Sequence, residues 1–184
     1  MTLVLALDGS MLKTSIFPEE LPRVDGSFVY SKLKIYVCFR KKFREMIGAL
    51  KDKFELIAWQ SSQQDYAQHI VALVEYKFGI KFSHSLSIED QNVSEDFTFY
   101  LKNLDLLTKE RKISEILIVD SVMSNFTNRL TNGIYLPPFS LHSDDYILKD
   151  LAKYLATFEG LNDVRPKIKS DFNLLSMFNN YKQT

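Results

Sequence analysis

The sequence predicts an α/β fold in which helices flank a central parallel sheet, with a small flap after the first strand. Short apolar segments rich in Val, Ile and Leu alternate along the chain with segments of helical periodicity. The first apolar segment ends abruptly in the polar turn Asp8-Gly9-Ser10. A buried strand that runs directly into a polar turn is typical of α/β domains, which carry functional groups at the carboxyl end of the sheet.

Four segments have the composition of β-strands. Residues 2–7 are apolar almost throughout, as expected of a strand that is buried on both faces. Residues 28–39 alternate and are rich in Val, Tyr and Ile, which predicts a strand or one arm of a hairpin. Residues 54–59 and 115–119 are short buried strands. Residues 14–27 contain two prolines and an Asp-Gly pair, which predicts the flap or a loop.

Three segments have helical periodicity. Residues 41–53 and 64–78 each place large apolar side chains on one helical face, and Gly79 is expected to end the second helix. Residues 144–158 have the clearest amphipathic pattern. Helices between strands imply right-handed crossovers and parallel pairing.

Composition limits the class of protein. The chain of 184 residues is 46% hydrophobic, which predicts one domain with a sizeable core. Basic and acidic residues balance at 23 each, so we expect no nucleic-acid partner. The single Cys38 excludes internal disulfides and cysteine-based zinc sites. No apolar run reaches the ~20 residues of a transmembrane segment, and the early first strand argues against a cleavable leader.

Polar side chains follow three of the predicted strands. Asp8 follows the first, Gln60 (with serines at 61 and 62) follows the third, and Asp120 follows the last. The carboxyl ends of parallel strands meet at one edge of a sheet, so these groups are expected to converge there, with Lys102 nearby. Two acids could hold Mg²⁺, while an amide, a hydroxyl and a lysine could hold phosphate oxygens. Alternatively, the strand ends are polar simply because they are exposed.

Seven segments, in their order along the chain, resemble the NIF-like domain of the haloacid-dehalogenase superfamily: TLVLALDGSM, FELIAWQSSQQDYA, YLKNL, ILIVDSVMSNF, NGIYLPPF, DDYILKDLAKYLATFEG and NDVRPKI. That family includes the small phosphatases of the RNA polymerase II C-terminal domain and the Tim50-type receptor subunit of the mitochondrial presequence translocase. The resemblance implies a Rossmann-like haloacid-dehalogenase fold over residues 1–168. The DVRP run at 163–166 favours the translocase-receptor branch.

The resemblance implies a degenerate active site at the end of the first strand. Ala6 stands where the family has the aspartate that attacks phosphorus, and a methyl group cannot attack. Asp8 matches the second, acid/base aspartate. Gly9 and Ser10 stand where active members usually have Glu and Thr. We therefore expect no catalysis from this strand end.

The other family motifs are only partly present. Gln60 replaces the Thr that offers its hydroxyl to phosphate, and Ser121 replaces the Asp or Asn beside the metal-binding acid. Lys102 matches the lysine that neutralises phosphate, and Asp120 matches the metal-binding acid. These residues either retain an anion-binding role or survive for structural reasons, such as an ion pair.

The expected metal site is vestigial. In the family the metal is held by the nucleophile, by the main-chain carbonyl of the second aspartate and by the late-strand acid. With Ala6 in the first position, only Asp8 and Asp120 remain, and one carboxylate side chain is a poor site for Mg²⁺. We expect no cofactor, with Mg²⁺ as the alternative.

The function expected from these features is an inactive phosphatase-like domain that serves as a structural or interaction subunit. Its partners would be other protein subunits of a larger assembly, and the first place to look is a mitochondrial inner-membrane complex with which it associates peripherally. The alternative is an Mg²⁺-dependent serine/threonine phosphatase, nuclear or cytoplasmic, whose Ala6 is an artificial substitution. The basic cluster at 40–44 is interpreted as a solvated face, with an acidic partner or lipid head group as the alternative.

Residues 169–184 are expected to form a C-terminal tail. The segment from Val164 onward is expected to be broken by Pro166 and to be helical only after Ser170. Several large apolar residues follow closely, namely Phe172, Leu174, Leu175, Met177 and Phe178. Such a cluster predicts a docking segment if it is exposed, or part of the domain's own core if it folds back.

Overall fold

A computed structural model describes residues 1–93, 100–141, 146–173 and 176. Its strands are β1 (Thr2–Leu5), β2 (Leu12–Ser15), β3 (Gly26–Tyr30), β4 (Leu33–Phe39), β5 (Glu55–Trp59), β6 (His84–Leu86), β7 (Asn92–Val93), β8 (Tyr100–Leu101), β9 (Ile116–Asp120) and β10 (Gly133–Tyr135). Its α-helices are α1 (Phe43–Leu50), α2 (Gln64–Phe78), α3 (Ile147–Ala156) and α4 (Arg165–Asp171). None of the helices in this part of the chain is long and apolar enough to span a bilayer.

Five strands form the central sheet in the order β10-β9-β1-β5-β6, and each neighbouring pair is parallel. β1 lies in the middle, where Leu3 pairs with Leu56 of β5 and with Leu117 of β9. The predicted α/β class with a central parallel sheet is confirmed. The outer strands β6 and β10 were not predicted, because three residues are too few to give a recognisable pattern.

Alternate side chains of β1 enter two different cores. Leu3, Leu5 and Leu7 belong to the larger core, which the apolar faces of the four α-helices complete. Val4 belongs to a second core on the other face, together with Trp59. Because β1 is covered on both faces, it continues as a fixed backbone to the polar residues that follow it.

The flap is a three-stranded antiparallel sheet in the order β2-β4-β3. The predicted flap after the first strand is present. Residues 28–39, predicted as a strand or one arm of a hairpin, contain the end of one hairpin arm and the whole of the other. β3 and β4 form a hairpin whose two turn residues, Ser31 and Lys32, both have positive φ, at 47° and 67°. Asn and Gly are the residues usually found in such a turn, so the Ser-Lys pair did not indicate one.

The helices agree with the predictions except at their ends. α2 has the predicted bounds, and Gly79 follows it with φ 63°. α1 begins at Phe43 rather than 41, because the left-handed Lys42 (φ 67°) cannot belong to the helix. α3 begins at Ile147 rather than 144, although residues 144 and 145 lie outside the described residues.

The interpretation of Pro166 is wrong. It lies in the first turn of α4, where a proline fits because its missing N–H has no helical partner there. α4 buries Ile168, and the ring of Phe172 then packs edge-on against Tyr154 with centroids 5.6 Å apart. At least this part of the predicted tail therefore contacts the domain's own core. The other apolar tail residues (Leu174, Leu175, Met177 and Phe178) lie outside the described residues.

Candidate functional site: the crevice at the carboxyl end of the sheet

The carboxyl ends of β1, β5 and β9 meet at one edge of the central sheet, because these three strands are neighbours, and this region is called the crevice below. Hydrogen bonds connect the three strand ends. Gln60 after β5 contacts the main chain after β1, and Ser121 after β9 shares hydrogen bonds with Ser10. As predicted, Asp8 and Gln60 come after neighbouring strands, whereas Asp120 is the last residue of β9 rather than the residue that follows it.

Lys102 and Asp120 form a buried ion pair in this crevice. Lys102 Nζ lies 2.7 Å from Asp120 Oδ2, and the same oxygen accepts a hydrogen bond of 2.8 Å from Asn125 Nδ2. Asp120 Oδ1 accepts a 2.8 Å hydrogen bond from the main-chain N–H of Val122. Each oxygen of this carboxylate is therefore already bonded within the protein.

This arrangement does not fit Mg²⁺. The ion prefers a near-octahedral set of oxygen ligands, whereas Asp120 faces the ammonium group of Lys102. Ala6 offers no carboxylate. Within residues 1–93, 100–141, 146–173 and 176, no group of three or more His, Cys, Asp or Glu side chains is placed to hold a metal.

Gln60 lies deep in the crevice, 1% exposed. Its side-chain Oε1 accepts hydrogen bonds from the main-chain N–H groups of Leu7 (3.3 Å) and Asp8 (3.2 Å). Its own main-chain N–H donates to Leu86 O (2.9 Å), which fixes the backbone against β6. The position at which the family resemblance implies a phosphate-binding hydroxyl therefore holds a side-chain amide that is bonded to the end of β1.

Asp8 is partly buried, and burial raises the pKa of its carboxyl group above the ordinary value. A hydrogen bond from the main-chain N–H of Gly9 and the positive charge of Lys13 act in the opposite direction. Gly9 itself has φ 76°, a conformation that favours glycine and turns the chain sharply after β1.

Ser10 and Ser121 connect two strand ends directly. Ser10 Oγ lies 2.8 Å from Ser121 Oγ and accepts a 3.1 Å hydrogen bond from the main-chain N–H of Ser121. Ala6 is 3% exposed, and its main-chain N–H donates to Val119 O, which extends the pairing of β1 with β9 by one residue. In the structure these small side chains act as packing and hydrogen-bonding elements.

Two residues of the crevice were missed by sequence reasoning. Asn125 is buried against Asp120, and its main-chain carbonyl accepts a hydrogen bond of 2.6 Å from the N–H of Lys102. Arg40 was interpreted as part of a solvated face, but it is 3% exposed and donates to the carbonyls of Ser10 (2.8 Å) and Pro137 (2.7 Å). The feature of the sequence that could have indicated this role of Arg40 is its position directly after a strand.

Comparison with known proteins identifies the family of this chain. The profile of the family described as "NLI interacting factor-like phosphatase" matches residues 1–165. The chain belongs to this family. The NIF-like domain, including β1, β5 and β9, thus accounts for almost the whole chain.

Curated relatives of this NIF-like domain fall in two groups. It is 28% identical over 178 residues to "CTD small phosphatase-like protein 2" of Dictyostelium discoideum, covering 96% of this chain and 30% of the relative. It is 27% identical over 129 residues to "Mitochondrial import inner membrane translocase subunit TIM50" of Kluyveromyces lactis, covering 67% of this chain and 25% of the relative. The chain therefore spans less than a third of the length of either protein.

Solved structures show the same fold. A variant of the fission yeast RNA polymerase II CTD phosphatase Fcp1, bound to beryllium fluoride, superposes on this NIF-like domain with a TM-score of 0.60 at 15% identity. The superposition covers 98% of this chain and 56% of the Fcp1 chain. The predicted haloacid-dehalogenase fold is thereby confirmed.

Proposed function

We propose that this NIF-like domain is catalytically inactive and serves as a structural or interaction subunit of a larger protein assembly. The observation that carries the proposal is Ala6, at the end of β1 where the family resemblance implies the nucleophile. A methyl group forms no covalent phosphoenzyme. Removing a nucleophile costs about 10⁶-fold in kcat where the catalytic groups act as a unit.

The contacts around Ala6 support the proposal. Lys102 is bonded to Asp120, and the side-chain Oε1 of Gln60 accepts hydrogen bonds from the main-chain N–H groups of Leu7 and Asp8. Departures at Gly9, Gln60 and Ser121 accompany the change at position 6. A single artificial substitution would leave those three positions in their active form, so their change favours natural loss of activity.

The assembly we propose is a mitochondrial inner-membrane complex to which the domain attaches peripherally. The likeness to a translocase subunit supports this location. The phosphatase-like relatives support the nuclear or cytoplasmic alternative, with an active Mg²⁺-dependent phosphatase as the competing function. The proposed docking segment is the part of the tail from residue 174 to residue 184, because it contains the apolar residues that come after α4 and after Phe172.

A phosphatase assay tests the catalytic half of the proposal. The protein is incubated with Mg²⁺ and either p-nitrophenyl phosphate or a phosphoserine peptide, with an active small CTD phosphatase as positive control. We expect no turnover by the natural chain and little recovery in Ala6→Asp, because Gln60 and Gly9 remain. Turnover that survives purification and disappears in Asp120→Asn would overturn the proposal and favour the phosphatase alternative.

A native-size measurement tests the interaction half. The endogenous protein is tagged, its compartment is located by fractionation, and the extract is run on a native gel. We expect migration with a complex much larger than the 21.4 kDa of this chain, in the mitochondrial membrane fraction. Migration as a free monomer would contradict the subunit role, and a nuclear or cytosolic complex would contradict only the location.

A further inference from the structure

The end of β1 contains a small cradle for an oxygen atom. The main-chain N–H groups of two consecutive residues, Leu7 and Asp8, both point at one oxygen, Gln60 Oε1, at 3.3 and 3.2 Å. Consecutive main-chain N–H groups that converge in this way form a concavity that favours anionic oxygen. The two donors also fix the orientation of the Gln60 amide, because only its oxygen can accept hydrogen bonds.

The nitrogen of the Gln60 amide makes no hydrogen bond among the described residues, so the oxygen is the atom that holds this side chain. Gln60 Nε2 is buried and has no hydrogen-bond partner among the residues that the structure describes. A buried donor without an acceptor is unfavourable, since it loses its hydrogen bonds to water. Gln60 is therefore held in the crevice by the two hydrogen bonds to its oxygen, despite the unsatisfied nitrogen.

The Gln60 backbone holds this side chain in place from the other side. Its N–H donates to Leu86 O at 2.9 Å, and its carbonyl accepts from Gln91 Nε2 at 3.5 Å. Lys102, a cation of the same crevice, donates its hydrogen bond to Asp120 Oδ2. The cradle's acceptor therefore comes from Gln60.

We propose that Gln60 is an internal plug: its side-chain oxygen occupies the place of an oxygen of a small external oxyanion on the N–H groups of Leu7 and Asp8. The cradle binds such an oxyanion only when the plug is removed. The inference rests on the proposed function in one respect, because a chain that hydrolyses phosphate esters must leave this cradle open to its substrate. Binding and turnover are measured separately, so a failure of the plug can be distinguished from a failure of the proposed function.

Three forms of the full chain test the plug with inorganic phosphate as the probe. Gln60→Ala removes the amide and leaves room for an anion. Gln60→Met keeps the length of the side chain but offers neither acceptor nor space, and is the matched control. Binding is followed by the ¹⁵N–¹H shifts of the Leu7 and Asp8 amides during titration, with sodium chloride at equal ionic strength as the blank.

We expect saturable shifts at both amides in Gln60→Ala, with a Kd lower than that of the natural chain by at least ~10-fold, the ratio that corresponds to a single strong hydrogen bond. The natural chain and Gln60→Met should show only the shifts seen with chloride. If Gln60→Ala loses its dispersed spectrum, Gln60→Ser is used, because its short side chain also opens the cradle while offering a polar group.

Two results would overturn the plug. Saturable phosphate shifts at Leu7 and Asp8 in the natural chain would mean that Gln60 does not block the cradle. A folded Gln60→Ala or Gln60→Ser without phosphate-dependent shifts would mean that no cradle exists. Turnover of p-nitrophenyl phosphate by the natural chain would contradict the inactive function, whereas a Gln60→Ala variant that binds phosphate without turnover supports both proposals.

Discussion

Lys102 Nζ lies 2.7 Å from Asp120 Oδ2, and each of these side chains is only 2% exposed. Both charges have lost their contact with water, so each depends on the other for compensation. In a buried pair the net gain from the interaction is small, but removal of one partner leaves an uncompensated charge. The stability of the folded protein therefore depends on both polar residues of this pair.

The first prediction concerns this pair. Lys102→Met should lower the free energy of unfolding by about 3 to 5 kcal/mol, because it leaves Asp120 charged and buried. The matched control is Arg129→Met, which breaks the Arg129–Asp105 pair at the same 2.7 Å but with side chains 41% and 44% exposed. That change should cost less than about 1 kcal/mol. Urea unfolding measures both, and equal losses would contradict the prediction.

The second prediction concerns two glycines in different surroundings. A Cβ at Gly133 in β10 would overlap the buried ring of Phe126, so Gly133→Ala should destabilise by roughly 1 to 3 kcal/mol through overpacking. A Cβ at Gly48 in α1 would meet no atom within 4 Å. Gly48→Ala should therefore stabilise the protein by about 1 kcal/mol, the helix preference of alanine. Thermal unfolding of both variants tests this, and a loss at Gly48 with no loss at Gly133 would refute it.

The third prediction concerns acid stability. Arg111 donates to both carboxylate oxygens of Glu55 and lowers the pKa of that carboxyl group to about 2, with help from the Thr2 hydroxyl. A depressed acid pKa stabilises the folded state above the unfolded pKa, and the stabilisation is lost as pH falls from about 4.5 towards 2. Glu55→Gln should therefore destabilise at pH 7 and have little effect near pH 2.

Urea unfolding between pH 7 and pH 2 measures this difference. Glu19→Gln, at an exposed acid of the flap, is the control and should change stability little at any of these pH values. A Glu55→Gln effect that stays constant across the range would mean that the Arg111 contact does not shift the carboxyl pKa.

The fourth prediction separates the docking tail from the domain's core. Phe172 packs against Tyr154, so Phe172→Ala should lower stability by about 1 to 3 kcal/mol, less than the loss of a fully buried ring. Deleting residues 174–184 should leave the melting temperature unchanged but prevent entry into the native complex. A sharp fall in melting temperature, with the remaining folded protein still assembling, would show that the tail belongs to the core.

Several features could be predicted because they depend on neighbours in the chain. The apolar run before Asp8 and the helical period of residues 64–78 are visible in one dimension, and β1 and α2 appear as expected. The hairpin turn at Ser31 and Lys32 could not be predicted. Both residues adopt positive φ without being Asn or Gly, so the tertiary packing of the flap fixes a conformation that the residues do not prefer.

The sequence by itself determined the α/β fold class and the methyl side chain that Ala6 places directly after β1, since both follow from residue identity and short-range pattern. Only the tertiary structure decided which polar groups meet. Gln60 accepts hydrogen bonds from the N–H groups of Leu7 and Asp8, which are more than fifty residues away in the sequence. Lys102 forms its ion pair with Asp120 rather than with Asp8. The strand order β9-β1-β5 brings these residues together. Burial then makes an unpaired polar or charged group unfavourable, so each group bonds to a partner within the protein.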